Sequence, residues 1–306
     1  HVVTCSDPDF AIGAWMTIWS THQCTPERKN LFFHLLTTEP NAPRFAKLLR
    51  LAAKWGIQLG IKCTTSDAIK DLPTHRLPLS SYFRLLAPGI LHGIEQFLYL
   101  DSDLLVRSSI QPLFKILGER GVAAAARDYY FHDVSGSKLH ERSPELFKEA
   151  PYFNSGVLQV NSEVWREQKV SERITSYLQL HGSAVSHGDQ DGLNVVLTGE
   201  LKEMDPSWNV QVGALQYYDR FGWPIERDSL RLRKAELLSD AKIVHFIGPS
   251  KPWRAGVTIP YGRQYRKMLV DSGWVPKRLA IAWRVLWLAS ASSAIIKAAL
   301  EKNRKS

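Results

Sequence analysis

The chain has 306 residues, 44% of them hydrophobic and 23% charged, with a net charge of +9. That length and apolar content suit a soluble enzyme with one large domain, and Cys5, Cys24 and Cys63, an odd set without CxxC spacing, argue against a disulfide framework or zinc site and for a reducing, cytoplasmic compartment. The charge is lopsided: seven basic residues against Glu301 between 275 and 306 supply +6 of it, which argues against a nucleic-acid groove spread over the domain.

Val2-Val3-Thr4-Cys5 reads as a first strand, followed by an apolar helix over 12–20. Residues 31–36 and 57–61 read as the next strands. Between them Phe45, Leu48, Leu49 and Ala52 recur at helical spacing, and Gly56 is suited to end that helix in left-handed conformation. Further strands are expected at 97–100, 122–126, 157–160 and 243–247. A helix over 164–181 places Val170, Ile174, Tyr177 and Leu178 on one face, with Gly182 as its stop. Strands alternating with helices predict an α/β fold, a mainly parallel sheet covered on both sides, over 1–274. The polar stretch 129–151 is a lid or binding element, or an ordinary surface excursion. No secretory leader is visible.

The most informative run is Phe97-Leu98-Tyr99-Leu100-Asp101-Ser102-Asp103. Four apolar residues suit a strand buried on both faces, and it ends in two carboxylates spaced i and i+2, which alternation along an extended backbone points the same way. The carboxyl edge of an open α/β sheet is where ligands bind. Two like charges there call for a hard divalent cation, which in turn holds a diphosphate; the plain alternative is a solvated Asp-Ser-Asp turn. Asn154-Ser155-Gly156 precedes an apolar run, pairing a versatile amide with a residue that permits close backbone approach. Asp189-Gln190-Asp191 opens a helical segment; Asp189 is the candidate working carboxylate and Asp191 the structural one, with an N-cap role open to either. His245 is a core histidine or a nitrogen ligand, with Lys251 placed to neutralise phosphate.

Taken in order, Cys5-Ser6-Asp7, Ser81-Tyr82-Phe83-Arg84-Leu85, Tyr99-Leu100-Asp101-Ser102-Asp103, Tyr152-Phe153-Asn154-Ser155-Gly156-Val157-Leu158, Asp189-Gln190-Asp191 and His245-Phe246-x-Gly248-x-x-Lys251-Pro252-Trp253 resemble glycosyltransferase family 8, over roughly residues 2–260. The resemblance implies a GT-A, Rossmann-like fold and retaining transfer of a hexose from a UDP-sugar, giving an α-linked product. It implies Asp101, Asp103 and His245 as metal ligands. Asp7, with the backbone at Cys5 and Ser6, resembles the segment that reads uracil, and Phe10 stands where the family often stacks a Tyr. Arg84, Asn154, Asp189 and Gln190 look like the donor-sugar residues, Gln190 closest to the anomeric carbon. Ser102 lies between the metal carboxylates, and Gly248 and Lys251 resemble the loop over the diphosphate. The family's start more often carries Ala where this chain has Cys5 and Ser6, and Pro8 is unusual; both bear on base recognition. Two carboxylates plus an imidazole suit Mn²⁺, with Mg²⁺ as the alternative.

The tail is expected to be a basic amphipathic helix. Arg284, Lys297 and small polar residues argue against a spanning segment. Trp283 and Trp287, i and i+4 neighbours flanked by Lys277, Arg278, Lys302, Arg304 and Lys305, fit a helix lying in an anionic membrane surface; the alternative is a helix packed on the domain. A lipid-linked or glycolipid acceptor, such as lipopolysaccharide at the inner face of a bacterial membrane, follows from that tail. The aromatic stretch Trp208, Tyr217, Tyr218, Phe221 and Trp223 suits stacking on acceptor sugars, covering a lipid, or core packing. Two other classes stay open: a sugar-1-phosphate nucleotidyltransferase, which Ser6-Asp7-Pro8-Asp9 does not supply with the usual Gly-rich basic loop, and a non-catalytic homologue that binds nucleotide sugar or membrane.

Overall fold

The computed structural model describes residues 1–279 apart from 66, 73–77 and 183–184, so the proposed membrane helix with Trp283 and Trp287 lies outside the described residues. β1 (Val2–Cys5) leads into α1 (Ala11–Cys24), β2 (Phe32–Thr37), α2 (Pro43–Trp55) and β3 (Gln58–Cys63). After α3 (Asp67–Lys70) and α4 (Phe83–Ile90) come β4 (Gln96–Leu100) and β5 (Leu104–Val106). β6 (Ala123–Arg127) and β7 (Phe153–Asn161) flank an excursion holding α5 (Val134–Ser137) and α6 (Leu139–Arg142). α7 (Ser162–Glu167), α8 (Val170–His181), α9 (Asp189–Val196), β8 (Leu201–Glu203), β9 (Val210–Gln211), α10 (Val212–Phe221), α11 (Asp228–Ser239), β10 (Ile243–His245) and α12 (Gly262–Asp271) complete the domain.

Seven strands form one sheet in the order β3-β2-β1-β4-β7-β6-β8, and β5-β10-β9 form a small second sheet. All pairs in the large sheet are parallel except those of β7, which runs antiparallel between β4 and β6. The mainly parallel α/β expectation holds. Alternation along the strands explains the layers: Val2, Leu98, Leu100 and Ala124 join one core with α1, α2 and α12, while Val3, Phe97, Tyr99 and Ala125 join another with α4, α7 and α8. Buried on both faces, these strands have no polar side, which is why they read as apolar runs.

Gly56 ends α2 at φ 64, as its sequence position suggests, with its amide on the Ala53 carbonyl. Three expectations need correction. Leu49 is 41% exposed, because the stripe of Phe45, Leu48 and Ala52 already fills the groove on the sheet. The helix over 164–181 is two helices, broken at Lys169, which sits at φ 51; the second does stop at Gly182, its C-cap at φ −52. Tyr177 packs half-buried against the same core as Val170, Ile174 and Leu178, as expected, its hydroxyl bonding Ser143 at 2.8 Å. β7 begins at Phe153 rather than 157, so Asn154-Ser155-Gly156 is strand, paired with β6 through an irregular step near Arg127. The two- and three-residue strands β5, β8 and β9 carry too short a pattern to be read from the sequence. The 129–151 excursion folds around a small core of its own, Val134, Leu139, Leu146, Ala150 and Tyr152.

Candidate active site

Because β7 runs opposite to β4 and β6, its amino end meets their carboxyl ends. A cavity of ≈ 1040 Å³ opens at that edge. Cys5, Ser6, Asp7, Phe10, Arg84, Asp101, Ser102, Asp103, Asn154, Asp189, Gln190, His245, Gly248 and Lys251 all line it, so the structure brings every candidate residue together. It also brings in Asp128, Tyr130, Phe131 and Tyr99, which sequence reasoning did not single out as site residues. Asp128 had a usable signal: it follows the apolar strand β6 as Asp101 follows β4.

Ligand atoms of Asp101, Asp103 and His245 lie within 4.8 Å of one another. His245 Nε2 stands 3.2 Å from Asp103 Oδ1 and 3.6 Å from Asp101 Oδ2. The carboxylates do not converge by strand alternation as expected. The chain turns at 102–103 before entering β5, and the turn brings them together. Helix α1 holds that turn: the Thr17 hydroxyl donates to the Asp101 carbonyl at 3.0 Å and accepts the Leu104 amide at 3.2 Å. Gly13 lets the helix approach, since a Cβ there would strike the Ser102 carbonyl. Gly156 serves the same end on the other side. A Cβ on it would meet Asp101 Oδ2 and His245 Nδ1 at 2.8 Å. Two anionic oxygens and one imidazole nitrogen on fixed backbone make a donor set that fits a divalent cation.

Lys251 folds back from the loop after β10, its ammonium on Asp103 Oδ2 and, at 2.7 Å, on the Phe246 carbonyl. Burial pushes the Asp103 carboxyl up, but Lys251 and then His245 pull harder, and it sits well below the ordinary carboxylate range. The Tyr99 hydroxyl donates to Asp101 Oδ1 at 2.7 Å.

Arg84 organises the opposite side. Its guanidinium lies 3.1 Å from Asp101 Oδ1 and 2.9 Å from Asp189 Oδ2, and Nη1 donates to the Ser155 carbonyl at 2.7 Å. The Nε hydrogen is aimed at the Ser81 carbonyl at 3.0 Å, so the Asp189 contact is a close ion pair rather than an aligned hydrogen bond. Burial raises the Asp189 carboxyl to about 6 despite Arg84's opposing pull. Asp191, two residues on, is tied down differently: it accepts the Tyr152 hydroxyl at 2.6 Å and the Ser186 and His187 amides at 2.8 and 2.9 Å. The helix N-cap is Gly188, so neither Asp caps it. Gln190 accepts the Ser155 amide at 3.1 Å and donates to Asp128 Oδ2 at 3.3 Å.

At the β1 end, Asp7 is half-buried, its carboxyl raised by burial against a hydrogen bond from Ser80. Phe10 meets Trp253 edge-on at 5.8 Å, with Lys251 6.0 Å over its ring. The aromatic stretch splits: Trp208 and Tyr218 are buried, whereas Tyr217 and Phe221 are exposed and Tyr217 meets the cavity-lining Tyr130 at 5.7 Å. Cys5, Cys24 and Cys63 are free thiols.

The family model for glycosyl transferase family 8 matches residues 1–256. A lipopolysaccharide 1,3-galactosyltransferase of Salmonella typhimurium is 26% identical over 275 residues, covering 88% of this chain and 77% of its own length. General stress protein A of Bacillus subtilis is 24% identical over 284 residues, covering 90% of this chain and 94% of its own length. The crystal structure of the galactosyltransferase LgtC, in complex with donor and acceptor sugar analogues, superposes with a TM-score of 0.74 at 20% identity, covering 91% of this chain and 98% of that one.

Proposed function

Since this chain belongs to glycosyl transferase family 8, we propose that it moves a hexose, galactose or glucose, from a UDP-sugar to a glycolipid or lipopolysaccharide acceptor with retention, forming an α-linkage. The observation that carries the reading is the Asp101, Asp103 and His245 cluster, its ligand atoms within 4.8 Å of one another, beside Lys251 at the cavity. We assign these three as the ligands of Mn²⁺, with Mg²⁺ as the alternative. Lewis-acid stabilisation of a leaving diphosphate is the chemistry a divalent ion supplies in such a site.

The chain's own residues do the rest. Asp7, with the backbone of Cys5 and Ser6, reads the base, and Phe10 stacks on it. Lys251 exchanges its contact with Asp103 for the diphosphate and, with Gly248, closes over it. As the glycosidic bond breaks, negative charge grows on the leaving oxygen, and the Lys251 ammonium, once moved from Asp103, offsets it. Arg84 and Asp189 hold sugar hydroxyls, and Gln190 and Asn154 face the anomeric centre. The acceptor hydroxyl arrives on the face that UDP leaves. We further propose that 275–306 seats the enzyme on the cytoplasmic face of an anionic membrane, on the sequence grounds of Trp283, Trp287 and the flanking basic residues. No helix among the described residues is long and apolar enough to cross a membrane.

The test is release of UDP from a panel of UDP-sugars with and without Mn²⁺. One UDP-hexose is expected to be hydrolysed or transferred in the presence of metal, and alanine at both Asp101 and Asp103 is expected to abolish it. Near-normal activity in that double variant, or pyrophosphate as product, refutes the reading. For the tail, a chain ending at Trp274 is expected to stay folded yet no longer sediment with phosphatidylserine vesicles; unchanged sedimentation removes the membrane role.

A further inference from the structure

Asn209 lies in the turn before β9, fully buried, and its amide has two partners. Its Oδ1 stands 2.9 Å from His245 Nδ1, and its Nδ2 donates to Asn154 Oδ1 at 2.9 Å. Since a carboxamide oxygen only accepts, His245 must carry its proton on Nδ1, which leaves the Nε2 lone pair facing Asp101 and Asp103. On its other side Asn154 donates to Asp128 Oδ2 at 2.9 Å and to Gln190 Oε1 at 3.2 Å. One buried amide thus joins the imidazole beside the two carboxylates to the two amides assigned to the sugar.

We propose that Asn209 is a positioning residue that sets the tautomer and angle of His245 and the register of Asn154 with a single side chain, aligning the metal side of the site with the sugar side. The inference rests on reading Asp101, Asp103 and His245 as a divalent-cation site. Outer partners of a ligating histidine typically matter 10–100-fold in metal affinity or activity. Rotation of Asn209 away from His245 would also release Asn154, so displacement on one side is transmitted to the other. Removing the amide therefore disturbs both functions at once, by a route separate from the Arg84 contacts to Asp101 and Asp189.

Two variants separate the arms. Asn209→Asp keeps an acceptor for His245 Nδ1 but offers Asn154 Oδ1 no donor. Its affinity for Mn²⁺ alone, measured by water-proton relaxation, is expected to stay within about 3-fold of wild type, while kcat for UDP release falls about 10-fold or more with a smaller change in donor KM. Asn209→Leu loses both bonds and is expected to weaken Mn²⁺ binding about 10–100-fold. Wild-type Mn²⁺ affinity in a folded Asn209→Leu, or a wild-type kcat in Asn209→Asp, overturns the proposal; the isosteric Asp variant decides alone if the Leu variant does not fold. Wild-type protein that binds no Mn²⁺ overturns the metal reading as well, so the two failures are distinguishable.

Discussion

The wall of the cavity built from β1, α4, β4, β7, α9 and β10 differs from the wall built from the 129–151 excursion in how its side chains are held. On the first wall Arg84, Asn154, Asp189 and His245 are buried, and each has polar partners on another element. On the second, Tyr130 and Phe131 are half-buried, and Tyr217, which packs on Tyr130 from outside the cavity lining, is 49% exposed and held mainly by ring contacts with Tyr130, Tyr218 and Phe221. A hydrogen-bonded polar wall is preorganised for one charged ligand, because reorganising it would strand buried donors and acceptors. An aromatic wall discriminates less sharply and accommodates varied sugars or lipid at small cost. The contrast suggests that donor specificity is stored in the first wall and acceptor tolerance in the second.

The largest expected blow to that contrast is Arg84→Met. It leaves Asp189 and Asp101 without their guanidinium, and uncompensated buried charge typically costs about 3–5 kcal/mol. Urea denaturation is the measurement, and a loss below about 1 kcal/mol would mean that the first wall is not pinned through Arg84.

Next comes the pH dependence carried by Asp189. Its folded-state carboxyl titrates at about 6 against 3.8 for the free group. Between those values the folded state binds the extra proton, so stability is full below 3.8, declines as pH rises toward about 6, and then levels. The decline is on the order of 3 kcal/mol, from about 1.4 kcal/mol per pH unit. Denaturation midpoints across that window should show it, and Asp189→Asn should flatten it. Transfer should fall in the opposite sense, losing rate as acid neutralises Asp189 and releases Arg84. A slope that persists in the Asn variant assigns the titration elsewhere.

The smallest effect is expected on the second wall. Tyr217→Ala should raise acceptor KM a few-fold, about 1 kcal/mol, through the loss of one ring edge against Tyr130, while acceptor-free hydrolysis of donor stays at the wild-type rate. A drop in donor hydrolysis would show that the two walls are not independent.

Much of the first wall was legible in the primary structure because strand ends put chemistry beside apolar runs: Asp101 after Phe97-Leu98-Tyr99-Leu100, His245 after Ile243-Val244. The distinction between Asp189 and Asp191 was posed by the sequence, but their different partners, Arg84 for one and Tyr152 with two amides for the other, come from elements far apart along the chain. Asn209 left no trace of its own, since nothing in Ser207-Trp208-Asn209-Val210 points to a histidine thirty-six residues away.

Local order alone therefore determined the α/β class, the strand that ends in two carboxylates, the αL stop at Gly56 and the family resemblance, because periodicity and turn chemistry act over a few residues. Only the tertiary structure decided that β7 runs antiparallel and so delivers Asn154 and Gly156 to the same edge as Asp101. It also decided that a turn held by Thr17, rather than strand alternation, brings the carboxylates to His245. Those outcomes depend on strand direction and helix packing between segments distant in sequence, which no local pattern encodes.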